Sequence, residues 1–387
     1  MPSDRTTSRL RPFATTIFAE MSALAVEHDA VNLGQGFPDT DGPESMLDAA
    51  RAAISDGRNQ YPPGLGVPEL RHAVARHQRE RYGLDYDPDR EVLVTIGATE
   101  AIAGAVVGLV EPGDEVVMIE PYYDSYAATV AMAGGVRRVV PLVPDGDGFR
   151  LDRERLADAF GPKTSVVLVN SPHNPTGTVL TPDDLAEIAR LCVEHDAVAV
   201  TDEVYEHLVF DGRTHTPLAT LPGMRERTIR ISSAAKTFNC TGWKVGWLSG
   251  PPELVAAART AKQYMSYVGS GPFQPAVAHA LDHEADWVTA SADALQRKRD
   301  MLSAALRDAG FGVHRSEATY FVCADPRPLG VDDGIKFCRS LPERIGVAAV
   351  PVSVFADDRD PWRHLLRFAF SKRDEVIAEA ADRLRRL

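Results

Sequence analysis

The chain is poor in the features that mark several whole classes of protein. It has four cysteines in 387 residues, Cys192, Cys240, Cys323 and Cys338, and none forms a C-x-x-C pair. That spacing points to neither a zinc knuckle nor a disulfide framework, so a cytoplasmic location is expected. Long apolar runs are missing too. The longest, AIAGAVVGLV at 101–110, ends at Glu111 and is too short to span a bilayer. The stretch PFATTIFAEMSALAV near the N-terminus is broken by Glu20 and offers no clear cleavage site, which argues against a signal peptide. Excess positive charge is absent. The net charge of −13 argues against a nucleic-acid partner, because such binding rests on clustered lysine and arginine. No Walker A, G-x-S-x-G or spaced Rossmann glycine motif occurs, and no internal repeat or Gly/Ser linker. Small-molecule partners remain, held by a few local charges.

What is present is a regular alternation. Strand-like runs at 91–97, 115–120, 137–143, 164–170, 197–204, 228–233 and 244–250 are separated by helical text. Thr181 before Pro182 reads as an N-cap. Continuously apolar strands in such a series predict an α/β fold with a largely parallel sheet covered on both faces. The pattern changes near residue 284, where long helical text is followed by TYFVCAD, GVAAVP and HLLRFAF. A large domain is therefore expected at 46–283. Residues 1–45 and 284–387 would form an arm and a smaller α+β domain.

Ligands of open α/β sheets bind beyond the carboxyl ends of the strands, so the polar residues there are the candidates. Gly97-Ala98-Thr99 opens a helix and offers free N–H groups to a phosphate, or is a simple cap. SPHNPTG (171–177) holds two X-Pro bonds, either of which could be cis and aim Asn174, or is a plain turn. Asp202 ends a buried strand and needs a partner, either a cationic ligand atom or a following element to cap. Lys236 lies among small apolar residues in SSAAKTFNCTGWKVGW (232–247). Desolvation there should lower its pKa and make the amine nucleophilic, as in Schiff-base lysines; the plainer reading is a snorkelling side chain. Arg367, on an apolar strand, presents a fork suited to a carboxylate or a structural ion pair. His279 and His283 have i, i+4 spacing but no obvious third ligand, so no metal site is expected.

Taken in order, NLGQGFPD, QYPPGLGVPELR, IGATEAI, EPYYDSY, NSPHNPTG, TDEVYEHLVF, SSAAKTFNCTGWKVGW and LLRFAF span nearly the whole chain. Together they resemble the pyridoxal-phosphate (PLP) enzymes of fold type I, in the class I/II aminotransferases. The nearest likeness is to the kynurenine, glutamine and methionine aminotransferases and the bacterial N-succinyldiaminopimelate aminotransferases.

The resemblance implies a mostly parallel seven-stranded sheet between helices, a small C-terminal domain, and a homodimer with shared active sites. It implies pyridoxal 5′-phosphate as cofactor and an amino acid and a 2-oxo acid as substrates. Lys236 would hold the cofactor covalently and move the proton at the substrate Cα. Asp202 would pair with the pyridine nitrogen, Tyr205 and Asn174 would hydrogen-bond the phenolic oxygen, and Tyr123 would stack on the ring. Ala98, Thr99, Ser233 and Lys244 would hold the phosphate, with Tyr61 from the neighbouring subunit. Arg367 would clamp the substrate carboxylate with Asn174 and the backbone of Gly36. Cis peptides are implied at Glu120-Pro121 and Asn174-Pro175. One departure stands out: Gly269-Ser270 replaces the aromatic–His pair of kynurenine-type members. This is expected to open the pocket rim and suit a longer, acylated substrate, N-succinyl-LL-diaminopimelate of lysine biosynthesis. The alternatives are a kynurenine-type aminotransferase and a cysteine-conjugate or cystathionine β-lyase. A PLP-binding transcription regulator is disfavoured by the acidic charge and the absence of DNA-binding text before the arm.

Overall fold

The computed structural model describes residues 5–13 and 16–387. Its large sheet is built from β1 (Val92–Ile96), β2 (Glu115–Glu120), β3 (Val136–Asp145), β4 (Gly148–Leu151), β5 (Thr164–Asn170), β6 (Val198–Asp202), β7 (Thr228–Ser233) and β8 (Val245–Ser249). The order across the sheet is β1-β8-β7-β6-β5-β2-β3-β4. Only β8 and β4 run against their neighbours. The seven expected strands are all present, and β4 is an eighth, added at one edge. Its text, DGDGFRL from Asp145, reads as a loop because of its glycines. Those residues instead make a tight turn, with Gly146 at φ 57° and Asp145 paired with Gly148.

The core strands form where the sequence is β-branched and apolar on both faces. In β5, five consecutive residues from Val166 to Asn170 are buried, and in β7 all six are. Helices cover both faces. Helix Pro182–Glu194 starts at the expected Thr181, which forms a capping box with Asp184. Helix Gly97–Leu109 follows β1 directly. No described helix is long and apolar enough to cross a membrane.

A second, smaller sheet holds β9 (Gly312–Val313), β10 (Phe321–Asp325), β11 (Val350–Pro351) and β12 (Leu366–Ala369), ordered β9-β10-β12-β11. Helices Ala285–Asp308 and Asp374–Leu384 pack together beside it. The N-terminal segment joins this part of the molecule. Met21 of helix Ile17–Glu27 and Leu33 are buried in the same core as Phe368 and Leu384. Val31 and Asn32 pair with Val347 and Ala348.

Candidate active site

Because six strands of the large sheet are parallel, their carboxyl ends lie along one edge. Asn170 and Asp202 end neighbouring strands in register. Ser233 ends the next, and Lys236 follows in the short helix Ala234–Thr237. Residues of the small sheet and of the N-terminal segment close the space above. The result is a cavity of about 360 Å³. Eleven of the twelve residues singled out from the sequence line it: Gly36, Ala98, Thr99, Tyr123, Asn174, Asp202, Tyr205, Ser233, Lys236, Lys244 and Arg367. Tyr61 is elsewhere. It is 82% exposed, on an outer groove with its ring 5.7 Å from that of Tyr267.

The end of the cavity at Gly97 and Lys244 is shaped by backbone. Gly97 takes φ 69°, a left-handed turn that lets helix Gly97–Leu109 start directly after β1. A Cβ there would lie 3.4 Å from Lys244 Nζ. A Cβ on Gly246 would come within 2.6 Å of the Gly97 carbonyl carbon, so its smallness lets β8 touch the helix start rather than leaving ligand room. Lys244 itself has φ 53°, and Ser270 Oγ donates to the carbonyls of Trp243 and Lys244 at 3.0 and 3.1 Å.

Asp202 is 5% exposed. Burial raises its pKa to about 6, against hydrogen bonds from Tyr126 Oη at 2.6 Å and the Val204 N–H at 3.3 Å. No basic side chain forms a salt bridge with it among the described residues. A buried carboxylate in that state suits a cationic or N–H ligand atom. Asn170 supports it from behind: its Nδ2 donates to the Asp202 carbonyl at 2.9 Å and its Oδ1 accepts the Asn174 N–H at 2.8 Å. Lys236 is half-buried, its Nζ 5.4 Å from the Tyr320 ring centre and 6.0 Å from that of Tyr205.

Arg367 on β12 is 2% exposed and has no acidic partner among the described residues. Its Nη1 donates to Asn174 Oδ1 at 3.0 Å and its Nη2 to the Gly34 carbonyl at 2.9 Å, while Nε has no partner. The Phe321 ring lies 3.9 Å from the guanidinium carbon. Burial lowers its pKa to about 10. A buried guanidinium on a cavity wall with no acidic partner is suited to receive a carboxylate. Asn174 Oδ1 is spent on Arg367, which leaves its Nδ2 for a ligand oxygen.

The bonds Glu120-Pro121, Ser171-Pro172 and Asn174-Pro175 are all cis, one more than the resemblance implied. Gly269 and Ser270 depart from expectation in position. Neither lines the cavity; they line the outer groove with Tyr61. A Cβ on Gly269 would meet Ile96 Cδ1 at 2.7 Å, so within one chain the pair is packed and does not open the rim.

Sequence reasoning missed four contributors. Tyr126 lies three residues beyond Tyr123 on helix Asp124–Ala133, the spacing of one helical face, and that spacing could have found it. Asn170 and Phe18 gave no signal of their own. Tyr320 donates to the Gly36 carbonyl at 2.5 Å, across 284 residues. One cluster of metal-binding residue types was missed as well: His77, Glu206 and His207 bring donor atoms within 4.8 Å of one another. Among the described residues His279 and His283 belong to no such cluster; their rings are 4.6 Å apart.

Known proteins match this chain along nearly its whole length. The family model described as aminotransferase class I and II matches residues 28–384. A Mycobacterium tuberculosis protein named probable N-succinyldiaminopimelate aminotransferase is 61% identical over 387 residues, covering 98% of each chain. Methionine aminotransferase of Escherichia coli is 39% identical, again over 98% of each. The solved structure of the M. tuberculosis N-succinyldiaminopimelate aminotransferase is similar with a TM-score of 0.97 at 62% identity. The match covers 98% of this chain and 99% of that one.

Proposed function

The chain belongs to the class I and II aminotransferases, and on that premise we propose that it moves an amino group between N-succinyl-LL-diaminopimelate and 2-oxoglutarate/glutamate. The observation that carries the substrate is the 61% identity, along the whole length, to the mycobacterial protein of that name. The cofactor of the family is pyridoxal 5′-phosphate, and the cavity's donor set fits it. When bound, it withdraws electrons from the substrate Cα.

The remaining work falls to the chain's own groups. Lys236 would attach the cofactor and carry the proton at Cα. Asp202 would hold the ring nitrogen protonated, supported by Tyr126. Tyr205 Oη and Asn174 Nδ2 would donate to the phenolic oxygen, and Tyr123 would stack on the ring. The N–H groups and hydroxyl of Ala98 and Thr99, with Ser233 and Lys244, would receive the phosphate. Arg367, with Asn174 and the Gly36 backbone, would bind the substrate carboxylate. The exposed Tyr61 would complete the site of a second copy, which makes a cytoplasmic homodimer the working form. The division into 46–283 and 1–45 plus 284–387 would allow the smaller part to close over the substrate. Lysine biosynthesis is the corresponding pathway.

The test is a half-reaction screen, with loss of the lysine-bound cofactor's visible absorbance as the readout. N-succinyl-LL-diaminopimelate should convert fastest. Faster conversion of methionine or kynurenine would replace this substrate, and pyruvate released without a 2-oxo acid would point to a β-lyase.

A further inference from the structure

The turn Asp202–His207 has two faces. One carries Asp202 and Tyr205 into the cavity. The other carries Glu203 and Glu206 into a buried space behind the sheet, and Arg230 meets them there. Arg230 lies on the polar face of β7, between Thr228 and Ser232, and is 3% exposed. It stands beside Thr201, its register partner on β6.

The contacts are specific. Arg230 Nε donates to both Glu203 oxygens at 3.1 Å, and Nη2 donates to Glu203 Oε2 at 2.5 Å and reaches Glu206 Oε2 at 3.4 Å. Glu203 also takes Thr201 Oγ1 at 2.7 Å and pairs with His215 Nε2 at 2.6 Å. Ser232 Oγ donates to Glu206 Oε1 at 2.6 Å. Both Glu206 oxygens are thus engaged, so its cluster with His77 and His207 is the edge of this network and not a free metal site. The Tyr82 ring lies 4.8 Å from the guanidinium carbon.

The charges do not balance without Arg230. Two buried carboxylates share one guanidinium; the imidazoles of His77, His207 and His215 and the phenols of Tyr82 and Tyr86 surround them, and Arg81 and Arg225 act on those rings without a hydrogen bond to either carboxylate among the described residues. Burial opposes ionisation of Glu203, yet Arg230 and His215 hold its pKa down to about 2. Glu203 is one peptide from Asp202, and its negative charge raises the proton affinity of Asp202.

We propose that Arg230 is a positioning residue for the cofactor site: it neutralises Glu203, ties it to Glu206, and so fixes the turn that presents the Asp202 carboxylate and Tyr205. This rests on Asp202 meeting the ring nitrogen. Removing the guanidinium leaves two carboxylates near each other and the Glu203 charge beside Asp202 without its main counter-ion. The turn shifts or Asp202 takes up a proton, and either weakens its hold on a cationic ring atom.

The experiment measures pyridoxal 5′-phosphate dissociation constants and bound-cofactor absorbance spectra for apoenzymes of matched circular dichroism. The expected effect of Arg230→Gln is a dissociation constant raised about tenfold or more with an altered spectrum, as for loss of one buried charge contact. The double variant Arg230→Gln/Glu203→Gln removes both charges and should recover to within about threefold of wild type. If Arg230→Gln does not fold, Arg230→Lys replaces it; it keeps charge without the fork and should bind about three- to tenfold more weakly. Wild-type affinity and spectrum in Arg230→Gln (or in Arg230→Lys, where that replaces it) overturn the proposal. A double variant no better than Arg230→Gln overturns it too, since that would make the role one of packing alone. A wild-type apoenzyme that fails to bind the cofactor would instead overturn the reading of the cavity.

Discussion

Replacing Arg367 by methionine should separate function from stability. A paired buried arginine costs about 3–5 kcal/mol to remove, because its acid is left uncompensated. Arg367 has no such acid. Burial lowers its pKa from 12.5 to about 10, which corresponds to a cost of about 3 kcal/mol for holding the charged form in the empty site. Neutral pH lies below both values, so the cost is fully present there. Methionine removes it and keeps contact with Phe321. Set against this are the two hydrogen bonds to Gly34 and Asn174, worth about 1.5–3 kcal/mol each. The terms nearly cancel, so the apoenzyme's melting temperature should move by less than about 5 °C. Substrate binding loses far more. A bidentate carboxylate contact is two charge-assisted hydrogen bonds, about 3–6 kcal/mol, or roughly 10²–10⁴ in kcat/KM. Thermal denaturation of the apoenzyme and half-reaction kinetics with the amino donor measure the two quantities. A kcat/KM within tenfold of wild type, or a melting temperature about 10 °C lower, would refute the reasoning.

Three further outcomes follow from the same geometry. Asp202 has its pKa raised from 3.8 to about 6 by burial, so it costs the folded apoenzyme nothing below about pH 4, where it is protonated in both states, and up to about 3 kcal/mol above pH 6. Apo Asp202→Asn should therefore exceed wild type in denaturant stability at pH 7, with the difference vanishing near pH 4; a constant difference would contradict this. Gly97→Ala forces a Cβ into a left-handed residue 3.4 Å from Lys244 Nζ, which should cost about 1 kcal/mol or more of stability and weaken cofactor affinity in equilibrium dialysis. Lys236→Arg should abolish the covalent cofactor absorbance, while Lys244→Arg should retain it with weaker affinity; the reverse pattern would exchange the two lysines' roles.

The parallel sheet was legible because its strands are rich in apolar residues on both faces, as in TSVVLVN and EVVMIE, and because Thr181 and Pro182 mark a helix start. The cavity was legible because ligands of such sheets meet the strand ends, which picked out Ala98, Asn174, Asp202 and Lys236. Three things were not legible. The strand Gly148–Leu151 hid behind turn residues that serve equally in loops. Tyr320 and Phe18 reach the cavity only through the docking of the small sheet and the N-terminal helix, contacts hundreds of residues apart in sequence. Arg230 sits in plain view in TIRISS, but one arginine in a strand carries no mark of which carboxylates it will meet.

Two residues of the cavity are held in states that the empty protein disfavours. Asp202 is a carboxylate whose burial pulls it toward protonation, and Arg367 is a guanidinium whose burial pulls it toward neutrality. They do not neutralise each other, because Asp202 sits on the large sheet and Arg367 on the small one. A ligand that brings a cationic ring nitrogen to the first and a carboxylate to the second relieves both costs. In the proposed function, a cofactor and an amino acid together would supply that pair. Under the proposed function, binding energy would thereby be tied to having both ligands in the cavity that Lys236 lines. The same logic assigns Arg230 its place. A buried acid can be left poised for a ligand only if the acid next to it, Glu203, is already satisfied.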